Sequence, residues 1–300
     1  KIFYIIKRYP GAGLFSNFSF VLNHLKIADN LNFIPFVDMQ TFPSWYNEKY
    51  IINNTLNSWE YYFDQVSKFK LEEIYKSKYV IFSDKTYHKE FSKLIYEDQS
   101  LKSIAEKYIK INNNFIKESK EFIINNFKKE KVLGVYLRDG EFRSIPNHHL
   151  PPTKEQIITN VKKIFLQEKY DKIFLCSKEL SHLKIFEKTF KDKFVIYNSF
   201  RSKEDCFNVY PRKDHRYLLG KEIIIEMLIL SQLDGLLYSM SNVSQASIFF
   251  NMNPNQKRYF LDNGKNHSNR TIAKFYWFYK SILPEKFGGF KKNISITNEK

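Results

Sequence analysis

The sequence predicts an α/β protein built from two Rossmann-like halves that face each other across a cleft. Short runs of β-branched and aromatic residues alternate along the chain with longer amphipathic stretches, which is the pattern of βα units on parallel sheets. A chain of 300 residues with 43% apolar and 17% aromatic side chains can bury a large core, and its length favours two domains.

The elements follow from hydrophobic periodicity. Short apolar runs predict strands at residues 2–6, 32–37, 79–82, 132–137, 172–176, 194–197, 235–238 and 258–261. Amphipathic stretches predict helices at residues 17–30, 58–67, 101–127, 153–167, 180–189, 217–230, 244–251 and 272–281. A lysine- and asparagine-rich helix ends near residue 131, where a new strand begins. We therefore place the domain boundary there, giving domains at 1–130 and 131–300.

Composition excludes several classes of protein. Cys176 and Cys206 are the two cysteines, too few for a disulfide framework or a multi-cysteine zinc site. The net charge is +16, yet only eight of the 48 basic residues are arginines, and no basic helix or zinc finger accompanies them. These features argue against a nucleic-acid-binding protein. Anionic lipid headgroups or a phosphate-bearing substrate explain the charge equally well.

Neither a membrane-spanning segment nor a signal peptide is expected. The opening sequence KIFYIIKRYP turns charged after six residues, and no apolar run approaches the length of about 18 residues that a spanning helix needs. The expected location is the cytoplasm, with peripheral association at the inner face of an anionic membrane as one option.

The first candidate site is the loop that follows the first strand. Gly11, Gly13 and Ser16 lie in a small-residue turn between that strand and a helix, where α/β proteins bind ligands. The turn lacks the lysine of a P-loop, and Ser16 occupies the place of the third glycine of a dinucleotide fingerprint. A tight strand-to-helix connection that merely needs small residues is an equally good interpretation.

Two strands of the second half end in polar residues. Strand 132–137 is followed by Arg138, Asp139 and Glu141, and strand 172–176 is followed by Ser177. Charged groups at strand ends point into a cleft, although a local arginine–carboxylate pair is the alternative.

The segment from 222 to 247 is the most informative. Glu226 lies on a strongly apolar helix, where a carboxylate requires a partner. Ser244 and Gln245 fall where the next helix is predicted to start, and a helix start with a hydroxyl cap can bind phosphate. A purely structural N-cap is the commoner use of such a serine.

Taken in order, these segments resemble the GDP-fucose-dependent fucosyltransferases, typified by the core α1,6-, the rhizobial nodulation and the protein O-fucosyltransferases. Residues 134–141 look like the family's Gly-Val-His-x-Arg-Arg-x-Asp motif, residues 172–179 like its strand ending in Ala-Thr-Asp-Asp, and residues 222–247 like its acidic helix and Ser-Ser-Gln phosphate loop. The similarity covers about 132–250, and weakly the first thirty residues.

The resemblance implies a glycosyltransferase of the GT-B fold, with the acceptor bound by the N-terminal domain and the GDP-sugar by the C-terminal domain. It assigns Arg138 to the donor diphosphate, Tyr136 and Glu226 to guanine, and Ser244 and Gln245 to the phosphate loop. The remaining donor-binding candidates are Gly11, Gly13 and Ser177.

The chain departs from the family pattern by two residues inserted before Ser244 and by three substitutions. Tyr136 replaces the histidine, Asp139 the second arginine and Glu141 the aspartate. We expect an inverting transferase without cofactor or metal, because no Asp-x-Asp motif is present. Asp139 and Glu141 form the one Asp-x-Glu pair that would contradict this expectation by holding a metal ion.

Asp139 and Glu141 are the main candidates for the general base, with His148 and His149 on the following loop as others. The expected partners are a GDP-sugar donor and a glycan or glycolipid acceptor. Alternatives are another nucleotide sugar such as a GDP-heptose, or a binding protein that has lost catalysis.

Overall fold

The computed structural model describes residues 1–84, 100–137, 140–202, 205–291 and 297–299. The nine strands in these ranges are β1 Phe3–Ile6, β2 Ile34–Val37, β3 Val80–Phe82, β4 Val132–Tyr136, β5 Lys172–Cys176, β6 Phe194–Val195, β7 Gly235–Tyr238, β8 Lys257–Phe260 and β9 Thr297–Glu299. The described α-helices are α1 Leu14–Asn30, α2 Leu71–Tyr75, α3 Ser100–Tyr108, α4 Asn113–Phe127, α5 Lys154–Gln167, α6 Leu180–Phe190, α7 His215–Leu230, α8 Asn242–Phe249 and α9 Arg270–Ile282.

The chain divides into two compact units. The first comprises Lys1–Glu118 together with Cys206–Ile225, and the second comprises Ser119–Asp205 together with Glu226–Lys300. Cys206–Ile225 lies in the predicted C-terminal half but makes its contacts with the first unit. The α/β class and the two parallel sheets that the sequence predicted are confirmed, one sheet in each unit. The assignment of acceptor and donor to the two domains stays a prediction.

The first unit is built on a three-stranded parallel sheet in the order β2-β1-β3. Phe3 of β1 lies opposite Ile34 and Val80 in the register of its neighbours. β2 is an edge strand, and at Val37 a side chain takes the place of a neighbouring strand, because the amide group of Gln65 accepts from the Val37 N–H at 3.0 Å and donates to the Val37 carbonyl at 3.1 Å. Glu60 fixes the orientation of that amide by accepting from its nitrogen at 2.7 Å.

The predicted helix at 58–67 is wrong, since this segment forms consecutive turns. The Asn57 side chain accepts from the Trp59 N–H at 3.2 Å and from the Met39 N–H at 3.1 Å, which directs the backbone into a turn. The aromatic residues then pack inward, with the Trp59 ring 4.4 Å from that of Phe63. Burial of aromatic rings on several sides outweighs the helical pattern.

The single helix predicted at 101–127 is interrupted between α3 and α4. Ile111 bridges to Phe63, and the Asn112 N–H donates to the Tyr62 carbonyl at 3.0 Å. Asn112 also accepts from the Asn114 N–H at 3.0 Å and so starts α4. The asparagine-rich sequence INNN is therefore a helix break. The short helix α2 and strand β9 were not predicted.

The second unit contains a six-stranded sheet in the order β6-β5-β4-β7-β8-β9, parallel except for β9. One face packs Leu133, Val135, Leu175 and Leu237 against α5 and α6. The other face carries Gly134, where a Cβ would lie 2.9 Å from the Leu230 side chain, so glycine is needed for the close approach of α7. The sheet is thus covered by helices on both sides, as parallel sheets generally are.

Candidate active site

The second sheet reverses its strand order at β4, and this position defines the candidate site. From β4 the chain first adds β5 and β6 on one side, then returns to place β7 on the other. Tyr136 at the end of β4 is in register with Cys176 of β5 and Tyr238 of β7. Ligands of open α/β sheets bind at the carboxyl ends of the strands at such a reversal.

The segments that leave β4 and β7 contain the predicted phosphate-binding residues. Leu137 is buried and is followed directly by Arg138. On the neighbouring strand, Ser239 continues the ladder by donating to the Tyr136 carbonyl at 3.2 Å, and α8 begins three residues later. At the point where the strand order reverses, the segment that starts α8 therefore lies beside β4, the strand that precedes Arg138 in the sequence.

The residue that caps α8 is Ser241, which sequence reasoning passed over in favour of Ser244. The Ser241 hydroxyl accepts from the Val243 and Ser244 N–H groups at 3.1 and 3.3 Å. Ser244 is fully buried, and its hydroxyl contacts the Ser239 and Ser241 carbonyls at 3.0 Å each. Among the described residues nothing accepts the Ser241 hydroxyl proton, so this group can donate to a ligand.

Gln245 lies in the first turn of α8 and is fully buried. Its amide nitrogen contacts the Met240 sulfur at 3.1 Å. Its carbonyl oxygen is buried, and no residue of the described part of the chain donates to it. The side chain thus retains an acceptor beside the helix start.

Glu226 has the partners that its position on an apolar helix requires. One carboxylate oxygen accepts from the Ser199 hydroxyl at 2.6 Å and lies 3.5 Å from the Arg201 guanidinium. The other oxygen accepts from the Cys176 thiol at 3.2 Å. Burial raises the pKa of Glu226 above its ordinary value, and the Ser199 hydrogen bond and the Arg201 charge act in the opposite direction.

Arg201 is a central residue of the site that sequence reasoning did not select. Its guanidinium donates to the Ser177 carbonyl at 3.0 Å, the Ser199 carbonyl at 2.8 Å and the Tyr197 carbonyl at 3.2 and 3.1 Å. It is 7% exposed and links the ends of β5 and β6 to Glu226. An arginine in a loop with no recognisable motif gave no signal in the sequence.

Ser177 contacts a second buried network at the end of β5. Its hydroxyl lies 2.8 Å from His182 Nδ1, and Glu179 beside it accepts from the Gly140 N–H and from the Ser181 hydroxyl. Burial lowers the pKa of His182. Burial alone would raise the pKa of Glu179, but the nearby His182 and the hydrogen bonds from Ser181 and Gly140 hold it below its ordinary value. Glu179 thus anchors the segment after β4.

Arg143 holds the same segment from the other side. It lies in the 3₁₀ turn Gly140–Ser144, with its guanidinium 4.4 Å from the centre of the Trp277 ring and 3.8 Å from Glu179. Asn266 supports this arrangement by donating to the Arg143 carbonyl at 3.0 Å. The turn that follows β4 is thereby fixed against α9.

Arg138 and Asp139, two of the three predicted catalytic residues, lie outside the described residues. The third, Glu141, lies in the 3₁₀ turn after β4. Of the other base candidates, His149 lies 3.3 Å from Asp262, and its hydrogen bond lowers the pKa of that carboxyl. Tyr136 is half-buried at the strand end. The catalytic and nucleotide-binding roles of these residues stay predictions.

The predicted glycine loop lies in the first unit. Gly11 has a φ of +86°, and a Cβ there would lie 3.1 Å from the Asn17 side chain, which pairs with the backbone of Ala12. Gly13 precedes α1, whose first N–H donates to the Tyr46 hydroxyl at 3.0 Å. These contacts account for small residues in a tight turn. Donor binding by Gly11 and Gly13 stays a prediction.

Two general properties concern metals and membranes. Within the described ranges, no group of three or more His, Cys, Asp or Glu side chains is arranged to hold a metal ion. None of the described helices is both long and apolar enough to cross a membrane.

Comparison with solved structures identifies the fold. NodZ alpha-1,6-fucosyltransferase soaked with GDP-fucose aligns with a TM-score of 0.56 at 13% identity, over 88% of this chain and 96% of that chain. The chain has the fold of the GT-B fucosyltransferases. Fucosyltransferase NodZ from Bradyrhizobium aligns with a TM-score of 0.57 at 11% identity, over 90% and 100% of the two chains. POFUT1 in complex with GDP aligns with a TM-score of 0.50 at 12% identity, over 86% and 98%.

The likeness lies in the fold rather than in the sequence. No family model matches the chain, and no curated protein sequence does so significantly. The resemblance to GDP-fucose-dependent fucosyltransferases that the motif order indicated is confirmed at the level of structure.

Proposed function

We propose that this protein transfers fucose, or a closely related 6-deoxyhexose, from a GDP-linked donor to a hydroxyl group of a glycan acceptor. The observation that carries the proposal is the reversal point of the second sheet. There the end of β4 lies beside the segment that leads into the N-terminus of α8, in a fold shared with fucosyltransferases, and Arg138 follows β4 two residues later in the sequence.

The helix start and Arg138 suit the diphosphate of such a donor. Cleavage of the sugar–phosphate bond places negative charge on the departing diphosphate, and preorganised donors stabilise that charge. The N-terminus of α8 provides the positive end of a helix dipole, and the Ser241 hydroxyl provides a donor. We therefore assign to Ser241 the hydroxyl role that the sequence suggested for Ser244.

The buried carboxylate of Glu226 suits guanine. Guanine presents two adjacent donors, N1–H and N2–H, which a carboxylate accepts in a bidentate fashion. The Cys176 thiol, a weak donor, is the sole described partner of one Glu226 oxygen, which leaves that oxygen capacity for a stronger hydrogen bond. Arg201 offsets the cost of holding the ionised form in the interior.

The acidic residues after β4 are the candidates for the general base. Inversion requires a base that removes the proton of the acceptor hydroxyl as it attacks the anomeric carbon from the face opposite the diphosphate. Asp139 and Glu141 are the candidates, and we propose that the reaction needs no metal ion because Arg138 and the helix dipole supply the positive charge.

Nucleotide binding and donor cleavage test the proposal in turn. GDP should raise the melting temperature and UDP should not, because a ligand that binds the native state stabilises it. Without an acceptor, the protein should release GDP from GDP-fucose slowly by hydrolysis. This release should continue in excess EDTA. Equal stabilisation by both nucleotides would remove the guanine assignment. Binding of GDP without any cleavage would leave a nucleotide-binding protein and refute transfer.

A further inference from the structure

The outer face of α9 is apolar and unusually exposed. Ile272, Phe275, Phe278, Tyr279 and Ile282 are between 47% and 80% exposed. At about 100° per residue these five side chains fall within roughly one third of the helix circumference, so they form one continuous stripe. Isolated exposed apolar residues are ordinary, but a contiguous stripe marks an interaction surface.

The opposite face of the same helix is firmly packed. Ala273 and Trp277 are buried, and the Trp277 indole N–H donates to the Pro151 carbonyl at 2.7 Å. The Trp277 ring also contacts the Phe290 ring at 6.1 Å. The helix is therefore fixed to the second unit by its inner face, and the outer stripe is additional to what that packing requires.

Basic residues are frequent in the segment that carries the stripe. Between residues 263 and 291 the chain carries six lysines and arginines against one acid, Glu285. The basic residues are Lys265, Arg270, Lys274, Lys280, Lys286 and Lys291. Phe287, 61% exposed, extends the apolar surface beyond the helix end. Positive charge thus accompanies the exposed aromatic rings on this element.

We infer that α9 and the turn Glu285–Phe287 dock on the surface of an anionic lipid bilayer. An apolar face rich in aromatic rings, flanked by lysine and arginine, is the pattern of helices that lie in the plane of the membrane interface. Aromatic side chains enter the headgroup region, and the basic residues pair with anionic headgroups. A protein partner fits less well, because lysine is depleted in the cores of protein interfaces.

Binding to vesicles tests this inference independently of sugar transfer. The purified chain is sedimented with phosphatidylcholine vesicles that contain or lack phosphatidylglycerol. We expect binding only to the anionic vesicles, weakened by salt. Combined Phe275→Ser and Ile282→Ser substitutions should lower the partition coefficient by about tenfold or more. Leu166→Ser, on α5, is the matched control, since Leu166 is 73% exposed, and it should bind as the parent does.

Reversing single charges distinguishes electrostatic binding to anionic lipid from nonspecific hydrophobic adsorption. Lys274→Glu should lower the partition by about fivefold or more, and Lys163→Glu on α5 should have little effect. The melting temperature of every variant should match the parent, because each altered side chain is exposed. Equal binding to both vesicle types would overturn the inference. So would concentration-dependent self-association that the α9 substitutions abolish, because the stripe would then be a protein interface.

Discussion

Replacing Glu226 by glutamine separates nucleotide recognition from structural pairing. Glutamine keeps the size of the side chain and one oxygen, but it exchanges the second oxygen for an NH₂ group. Guanine directs two N–H groups at this position in the proposed complex, so the variant would oppose a donor with a donor. The ion pair with Arg201 is lost at the same time.

The expected loss of GDP affinity follows from the hydrogen bonds involved. A hydrogen bond to a charged group contributes about 1.5–3 kcal/mol, and an unsatisfied buried donor costs a similar amount. A loss of about 3 kcal/mol corresponds to a Kd for GDP raised roughly 100-fold. Arg201 still donates to three carbonyl groups in the variant, so the folded state should lose only about 2 kcal/mol.

Calorimetric titration with GDP, run beside thermal unfolding, is the assay, and Glu222→Gln is its matched control. Glu222 is also a buried glutamate of α7, paired with Arg212 at 2.5 Å. The control should lose comparable stability and keep its affinity for GDP. If Glu226→Gln binds GDP as tightly as the parent while losing stability, then Glu226 is only a structural partner of Arg201 and the guanine site lies elsewhere.

Three further predictions concern the same site. Arg138→Ala should lower turnover by about 100-fold or more with an unchanged melting temperature, and Arg138→Lys should restore part of it, as steady-state kinetics would reveal. Ser199→Ala should tighten GDP binding about fivefold if its hydroxyl competes with guanine for Glu226, whereas unchanged affinity would exclude competition. The pKa of Glu226 is higher in the folded state than its ordinary value of 4.5. Glu226 therefore makes its full contribution to the free energy of unfolding below pH 4.5, and that contribution is lost as the pH rises through the folded-state pKa. Denaturant titrations should therefore show that the difference in free energy of unfolding between the parent and Glu226→Gln becomes smaller as the pH rises. A difference that stays constant with pH would contradict the raised pKa of Glu226.

The sequence predicted the sheets better than the segments between them. Strands of a buried parallel sheet are continuous apolar runs, and β5 and β7 were predicted at their observed bounds. The turns at 58–67 and the break before α4 depend on pairing between distant residues, such as Phe63 with Ile111. Local periodicity carries no information on such contacts.

In the candidate site too, some features could be predicted from the sequence and others depend on how the chain folds. The need of Glu226 for a partner follows from its apolar surroundings, but the identity of Arg201 as that partner depends on how loops fold at the ends of β5 and β6. The start of α8 was misplaced by two residues, because Ser241 and Ser244 are both plausible caps and the capping box uses both. Chemistry at strand ends is thus predictable, whereas the choice between neighbouring serines needs the backbone.

The side chain of Gln65 bears on how this chain behaves at high concentration. A free strand edge offers unpaired N–H and C=O groups to any passing extended chain, and that is how sheets from different molecules join. At Val37 the Gln65 amide already makes both of these hydrogen bonds and is held in place by Glu60. In Gln65→Leu the Val37 N–H would lose this acceptor, while the Val37 carbonyl would keep its hydrogen bond from the Asn57 amide at 2.7 Å. We expect light scattering to show that this variant aggregates at a lower concentration than the parent.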